Sequence, residues 1–288
     1  MLWRFARPHT IVGTTVSIVA LYAIARASHA PSAGVADLAG TLVAGWTVNV
    51  FIVGINQLED VEIDRINKPE LPIAAGELTS SAAWWIVGAC AVIPLALALT
   101  QGTTETVAVA AALAVGWAYS CPPMRLKRFA LVAAAAIAVV RTVVVNLGVW
   151  LHFAPGGVAP VVWALTAFTL PYSLAIAILK DVPDVEGDRR YGIATFSVRL
   201  GARTVIGMGL TALTVAELGM AVAAPFLLDG AGAALLIAGQ LSAAALLWWR
   251  AARLDLADRA AVTAYYQLVW KLFFWEYALV AGAFVVSA

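Results

Sequence analysis

Nine apolar runs, at residues 11–27, 38–57, 82–99, 106–119, 129–151, 160–179, 204–226, 231–249 and 264–286, follow one another along this chain with only short polar breaks between them. Several approach the ~20 residues an α-helix needs to cross a bilayer. Inside lipid, a backbone finds hydrogen-bond partners only within a helix or a closed barrel. The alternating apolar and polar residues of barrel strands do not recur here. The expected fold is therefore an all-α polytopic transmembrane bundle of about nine helices around a central cavity, forming a single domain over residues 1–288. Composition agrees, with 62% of residues hydrophobic and 12% charged, against about 25% charged in soluble domains. Arg4 and Arg7 precede the first run, but no small-residue cleavage site follows it, so the run reads as a span and not as a signal peptide. No transit peptide is evident, which suits a prokaryotic cell membrane.

The cations set the orientation. With nine spans, alternate connections share a side. One side collects Arg4, Arg7, Arg65, Lys68, Arg125, Lys127, Arg128, Lys180, Arg189, Arg190, Arg199, Arg203, Arg250, Arg253 and Arg259, which is 15 of the 18 Lys and Arg. The other side has Arg26, while Arg141 and Lys271 fall inside spans. The positive-inside rule then places the N-terminus and this face in the cytoplasm. A net charge of +1 gives no bulk attraction to a polyanion, so no nucleic-acid partner is implied. Cys90 and Cys121 lack the spacing of a metal site or a disulfide framework. No obligatory protein partner is evident; the bilayer is the partner the composition demands.

Ten of the 17 acidic residues lie in two connections on the cation-rich side, 59–77 and 181–188. In the first, Asn56, Asp60 and Asp64 stand at i, i+4 and i+8. At about 100° per residue they stay within roughly 80° of each other, on one helix face. Glu59 and Glu62 are expected to point away, toward solvent. In the second, Asp181, Asp184 and Asp188 stand at i, i+3 and i+7, again one face if the helix runs on past Pro183. One amide and several carboxylates are hard oxygen ligands that suit Mg²⁺. Two carboxylate faces meeting across a cavity repel unless cations lie between them. Mg²⁺ ions carrying a diphosphate relieve that repulsion, because Mg²⁺ takes one or two carboxylates together with substrate phosphates. Lys68, Arg125, Lys127, Lys180 and Arg189 are candidate phosphate clamps, although each also serves the charge bias across the membrane. Arg125 and Lys127 follow the stiff Tyr119-Ser120-Cys121-Pro122-Pro123 connection.

These motifs resemble those of the UbiA superfamily of intramembrane prenyltransferases, with Asn-x-x-x-Asp-x-x-x-Asp after the second span and an Asp-rich repeat after the sixth. Ile66-Asn67-Lys68-Pro69, Tyr119-Ser120-x-Pro122-Pro123-x-Arg125-x-Lys127, Lys180-Asp181-x-Pro183-Asp184-x-x-Gly187-Asp188 and Phe196-Ser197-Val198-Arg199-Leu200-Gly201 are similar to its homogentisate prenyltransferase branch. The resemblance implies that Asn56, Asp60, Asp64, Asp181, Asp184 and Asp188 bind two Mg²⁺ ions bridging a prenyl diphosphate. It makes Asp60, Asp64, Asp184 and Asp188 central to catalysis, with Lys68, Tyr119, Arg125, Lys127 and Lys180 on the substrate. The implied partners are a prenyl diphosphate and a small aromatic acceptor such as homogentisate. The cavity would open toward the cytoplasm.

Polar residues inside spans are functional candidates. Arg141 either pairs with Glu217, Glu276 or backbone carbonyls or binds an anion, which is the diphosphate or a carboxylate of the acceptor. Asn49, seven residues before Asn56 on nearly the same face, hydrogen-bonds the acceptor or a neighbouring helix. Lys271 and Glu276 stand at i and i+5, a poor pairing offset, and His9 and His152 are expected at the interface. An intramembrane terpene cyclase would use the same Mg²⁺ site on the diphosphate alone, and another acceptor, such as a chlorophyllide or a sugar phosphate, fits the same motifs. A transporter would instead place acidic residues near the midplane. The cation bias gives a direct test. In intact cells, Arg125→Cys and Arg199→Cys are expected to resist an impermeant thiol reagent, and labelling of either from outside overturns the orientation.

Overall fold

The structure, a computed structural model, describes residues 1–28, 33–190 and 195–288, with the backbone alone at 186 and 187. Among the described residues the regular structure is helical: α1 (Leu2–Phe5), α2 (Pro8–Ala27), α3 (Val35–Glu59), α4 (Val61–Asn67), α5 (Ser80–Gln101), α6 (Thr103–Ser120), α7 (Ala130–Val139), α8 (Val149–Phe153), α9 (Pro160–Leu179), α10 (Val185–Arg190), α11 (Phe196–Leu200), α12 (Ala202–Leu227), α13 (Gly230–Ala251) and α14 (Arg259–Ser287). A π-helical stretch, Val140–Gly148, joins α7 to α8. The three form one rod, the expected fifth span. Each of the other eight runs coincides with one long helix. Eight of the nine rods are long and apolar enough to cross a bilayer. The other is α6, whose polar ends, from Thr103 to Glu105 and at Tyr119 and Ser120, dilute an 18-residue helix.

Local chemistry sets the boundaries. Pro8 and Pro160 open α2 and α9 at positions where a missing N–H costs nothing. The Thr79 hydroxyl accepts from the Ala82 N–H at 3.2 Å to cap α5, and the Asp258 carboxylate accepts from Ala260 at 2.8 Å to cap α14. Gly102, at φ 114°, makes the sharp reversal between α5 and α6 that a side chain would resist.

The rods close into a ring. Helix α2 packs on α3, α3 on α5 and α6, and α6 on the π-helical stretch; α7 packs on α9, α9 on α12, α12 on α13, α13 on α14, and α14 returns to α2. One apolar cluster spans α2, α8, α9, α12, α13 and α14, and a smaller one ties α1 to α3, α5 and α6. Outward-facing side chains such as Trp85 and Phe226 are large, apolar and exposed, as a lipid-facing surface requires. Trp248 and Trp249 are also exposed, and Arg253 lies 4.9 Å over the Trp249 ring, which fits the interfacial belt.

Lipid supplies no hydrophobic drive between spans, so close packing and polar ties hold the rods together. The Tyr277 hydroxyl donates to Asn146 Oδ1 at 2.6 Å, and Asn146 Nδ2 donates to Thr169 at 2.9 Å, linking the fifth rod to α14 and α9. Gln240 donates to Glu276 at 2.6 Å between α13 and α14. Glu276 is thus paired with neither Lys271 nor Arg141. Backbone meets backbone most closely at Gly232, where an added Cβ would stand 2.5 Å from the Ala283 carbonyl oxygen and 2.8 Å from Ser287 Cβ. A backbone oxygen cannot swing aside, so Gly232→Ala is expected to lose about 1–3 kcal/mol of stability through overpacking. Gly219→Ala, with nothing within 4 Å of the new Cβ, is the matched control. Thermal unfolding in detergent should show a lower midpoint for the first variant only.

A candidate anion and metal site at the mouth of the cavity

The first acidic motif is bent. Helix α3 ends at Glu59, and Asp60 departs from helical angles (φ −115°, ψ 19°) before α4 begins. The single continuous helix expected from the spacing is therefore two helices. Register survives because the Asp60 N–H still donates to the Asn56 carbonyl at 3.1 Å and the Asp64 N–H to the Asp60 carbonyl at 2.8 Å. Asn56, Asp60 and Asp64 line one cavity. Glu62 is exposed beside Arg65 at 2.7 Å, as expected, although it too borders the cavity at its rim. Glu59, expected to face away, lines the cavity as well, and its carbonyl accepts from Arg125 Nη2 at 3.4 Å.

The second motif departs further from the sequence expectation. Helix α9 stops at Leu179, residues 180–184 turn, and α10 resumes at Val185. Pro183 lies in that turn, where its lack of an N–H is tolerated. Asp181 and Asp184 are thus turn residues and Asp188 is helical, with its N–H donating to the Asp184 carbonyl at 3.1 Å. The single helical face gives way to a turn that still delivers all three carboxylates to the same cavity.

Cations and amides stitch the motifs together. Lys68, at the end of α4, forms an ion pair with Asp184, and Asn67 Nδ2 reaches Asp188 at 3.5 Å. Arg259 at the start of α14 lies 3.9 Å from Asp184 and donates to the Asn67 carbonyl at 3.1 Å. Lys127 and Arg125 approach Asp60 at 2.7 and 3.3 Å. Arg125 holds a left-handed backbone, φ 37°, strain of the kind that gathers at functional sites. Lys180 contacts Asp181 at 3.3 Å and donates to the Tyr119 hydroxyl at 3.3 Å; Asn56 Nδ2 donates to Ser120 at 3.3 Å. Of the expected phosphate clamps only Arg189 is exposed and outside the cavity lining. Arg259, Arg4 and Arg7 line it without any motif to announce them.

Burial pushes the Asp64 carboxyl up to about 6, with Asp60 and Asp184 adding to the rise and Arg7 and Lys68 opposing it. Burial, then Asp181 and Asp184, pushes Asp188 up to about 6. Burial works against the charge on Lys180, yet Asp181 and Tyr119 hold it well above the ordinary lysine value. Among the described residues no three His, Cys, Asp or Glu side chains gather closely enough to hold a metal by themselves. The donor set nonetheless suits Mg²⁺, which takes one or two carboxylates and completes its shell with water and phosphate. The buried Asp64 Oδ2, which has no hydrogen-bond partner, is an oxygen left for such a ligand.

The cavity measures about 1330 Å³ and continues into a second pocket of about 340 Å³; Asn56, Tyr119, Lys180 and Trp270 border both. His9, expected at the interface, packs edge-on to Trp270 with ring centroids 5.3 Å apart and borders both spaces. Asn49 lines the inner pocket, but its amide is engaged by α2: it accepts from the Thr10 hydroxyl at 2.8 Å and donates to Thr14 at 2.9 Å. That is the helix-tie alternative for Asn49. Arg141 also lines the inner pocket.

The family model for the UbiA prenyltransferase family matches residues 14–277. A homogentisate phytyltransferase of Synechocystis sp. is 44% identical over 96% of this chain and 93% of its own length. The chloroplastic homogentisate solanesyltransferase of Arabidopsis thaliana is 37% identical over 96% of this chain and 75% of its own length. A UbiA homolog from Archaeoglobus fulgidus, solved bound to GPP and Mg²⁺, is only 19% identical but superposes with a TM-score of 0.69 over 97% of this chain and 99% of its own.

The two raised carboxyls give a pH signature. A metal takes the ionised carboxylate. Uptake is therefore complete above the raised values and lost as pH falls through about 6. Calorimetric titration with Mg²⁺ and inorganic diphosphate is expected to show affinity dropping about tenfold or more per pH unit below that point. Affinity that stays level down to the ordinary carboxylate range would mean that neither Asp64 nor Asp188 is a ligand.

Proposed function

This chain belongs to the UbiA prenyltransferase family, and from that premise we propose that it transfers a prenyl group from a prenyl diphosphate onto homogentisate within the membrane. The observation that carries the reading is the meeting of both acidic motifs, each bracketed by basic side chains, at the mouth of one cavity that runs on between the spans. The acceptor rests on the homogentisate transferases that resemble this chain across nearly its whole length. Those relatives carry different prenyl tails, so the acceptor is what they share.

In this mechanism Lys68, Arg125, Lys127, Lys180 and Arg259 hold the diphosphate. Asn56, Asp60, Asp64, Asp181, Asp184 and Asp188 would hold two Mg²⁺ ions, which supply neutralisation of the charge that develops on the leaving diphosphate. The allylic carbon–oxygen bond breaks, and its electron pair leaves with the diphosphate. A ring carbon of the acceptor then bonds to the prenyl cation, and loss of a ring proton restores aromaticity. The cavity among the spans keeps water from the cation. We place the motif-bearing end of the bundle on the cytoplasmic side of a prokaryotic membrane, on the strength of the cation bias. We treat residues 1–288 as one functional unit.

The purified enzyme, given Mg²⁺, a panel of prenyl diphosphates and homogentisate, is expected to form a prenylated hydroquinone detectable by mass spectrometry, and to stop when the metal is chelated. A cyclic hydrocarbon formed from the diphosphate alone would mean cyclisation instead. Asp60→Ala and Asp184→Ala are each expected to lower kcat/KM by at least about 10²–10³-fold, the scale of one lost charge-stabilising group. Glu62→Ala, on the exposed face, should stay within about 0.5 kcal/mol of wild type. A silent Asp184→Ala beside a dead Asp60→Ala would mean that the two motifs do not share a substrate.

A further inference from the structure

Arg141 is a cation inside a span that the mechanism leaves unused. It sits in the π-helical stretch of the fifth rod, well inside the membrane-spanning part of the chain. Its guanidinium lies 4.5 Å over the Trp270 ring and 5.4 Å from the centre of Phe273. Neither carboxylate expected to pair with it does so. Glu276 is engaged by Gln240, and the described residues show no ion pair between Arg141 and Glu217 or any other acid. Nη1 is sequestered from solvent without a hydrogen-bond partner, while the rest of the half-buried side chain borders the inner pocket. A guanidinium always carries its charge, so an anionic ligand is the partner this position lacks.

The pocket narrows the choice. At about 340 Å³ it lies at the small end of ligand sites, which run from ~300 to 1,000 Å³. An isoprenoid tail laid against this guanidinium would shield it from water and return no hydrogen bond. The diphosphate has its own set of cations at the mouth. Trp270 borders both spaces and carries Arg141 on its face, so a ligand reaching Arg141 lies one side chain away from the outer cavity. A small ring bearing a carboxylate supplies the anion that Arg141 lacks and is of a size this pocket admits. We propose that Arg141, stacked on Trp270 in the inner pocket, binds the carboxylate of an aromatic-acid acceptor and holds its ring toward the prenyl diphosphate. The assignment rests on the acceptor reading given above and names the group that enforces it.

The test compares homogentisate with its neutral isostere, 2,5-dihydroxyphenylacetamide, by calorimetric Kd in the presence of Mg²⁺ and inorganic diphosphate. Wild-type protein is expected to bind the acid at least about 30-fold more tightly than the amide, the scale of a desolvated charge pair. Arg141→Gln is expected to erase that preference by weakening the acid alone, with the KM for the prenyl diphosphate unchanged. Arg141→Lys, which keeps the charge without the planar fork, should fall between them. Equal affinity of wild type for acid and amide overturns the assignment without any variant, so a variant that fails to fold does not shelter it. Equal weakening of both ligands in Arg141→Gln, or a rise in the KM for the prenyl diphosphate alone, also overturns it. Parallel turnover assays separate the two readings. If wild type prenylates homogentisate but does not distinguish acid from amide, Arg141 is not the anchor; if it prenylates no aromatic acid, the acceptor reading fails and the anchor falls with it.

Discussion

Carboxylates converge from two distant stretches of chain at one end of a helical bundle, and most of what surrounds them serves to hold them there. Two unit charges 4 Å apart repel by about 4 kcal/mol at an effective dielectric of 20, and burial adds to the cost, as the raised Asp64 and Asp188 show. In the ligand-free protein the repulsion is offset from several sides. Lys68 crosses from α4 to Asp184, Lys127 and Arg125 hold Asp60, and Lys180 holds Asp181. All four of these cations lie in connections between the rods, not in the spans, so the connecting segments are as much a part of the site as the helices. Under the proposed function, a diphosphate bound with metal would draw on these same carboxylates and leave the lysines and arginines for its own oxygens.

The rods were legible because lipid enforces a simple rule: a backbone that crosses must be helical, and its side chains must be apolar. All nine runs became rods, and the cation bias agrees with an odd number of crossings. The irregular features were less legible. Asp60 is of the residue type that favours an N-cap and stands at that position before α4, but the i, i+4, i+8 spacing fits one unbroken helix equally well, and the break depends on where α4 must go to meet α10. Pro183 does signal its turn: one face for Asp181 to Asp188 requires the helix to run on past it, and the helix does not. The π-helical stretch at Val140–Gly148 has no sequence mark at all.

The same distinction runs through the site. Asp60, Asp64, Asp184, Asp188, Lys68, Tyr119, Arg125, Lys127 and Lys180 were found because they sit in spaced motifs, and all of them line the cavity. Arg259 and Trp270 carry no such mark, because α14 has no spaced motif even though Thr263, Tyr266, Gln267, Lys271 and Phe274 of the same helix also line the cavity. Only the packing of α14 against α2 and α9 brings them to the site. The helical face of Asn49 leaves it to either the acceptor or a neighbouring helix, and Thr10 and Thr14 on α2 supply the second. A one-helix argument cannot see the hydroxyls of the neighbouring helix.

The closure of the ring by α14 against α2 also orders events in time. The first long helix to enter the membrane packs against the last, so through most of synthesis the nascent bundle is an open arc. Arg141 meets its aromatic plate, Asn146 its tyrosine and Gln240 its glutamate only when α14 supplies Trp270, Tyr277 and Glu276. Until then, polar groups in two earlier rods must be sheltered from hydrocarbon by other means, such as water-filled space beside the insertion machinery. Completion of the binding cavity and relief of that exposure are thus one event, governed by the arrival of a single helix.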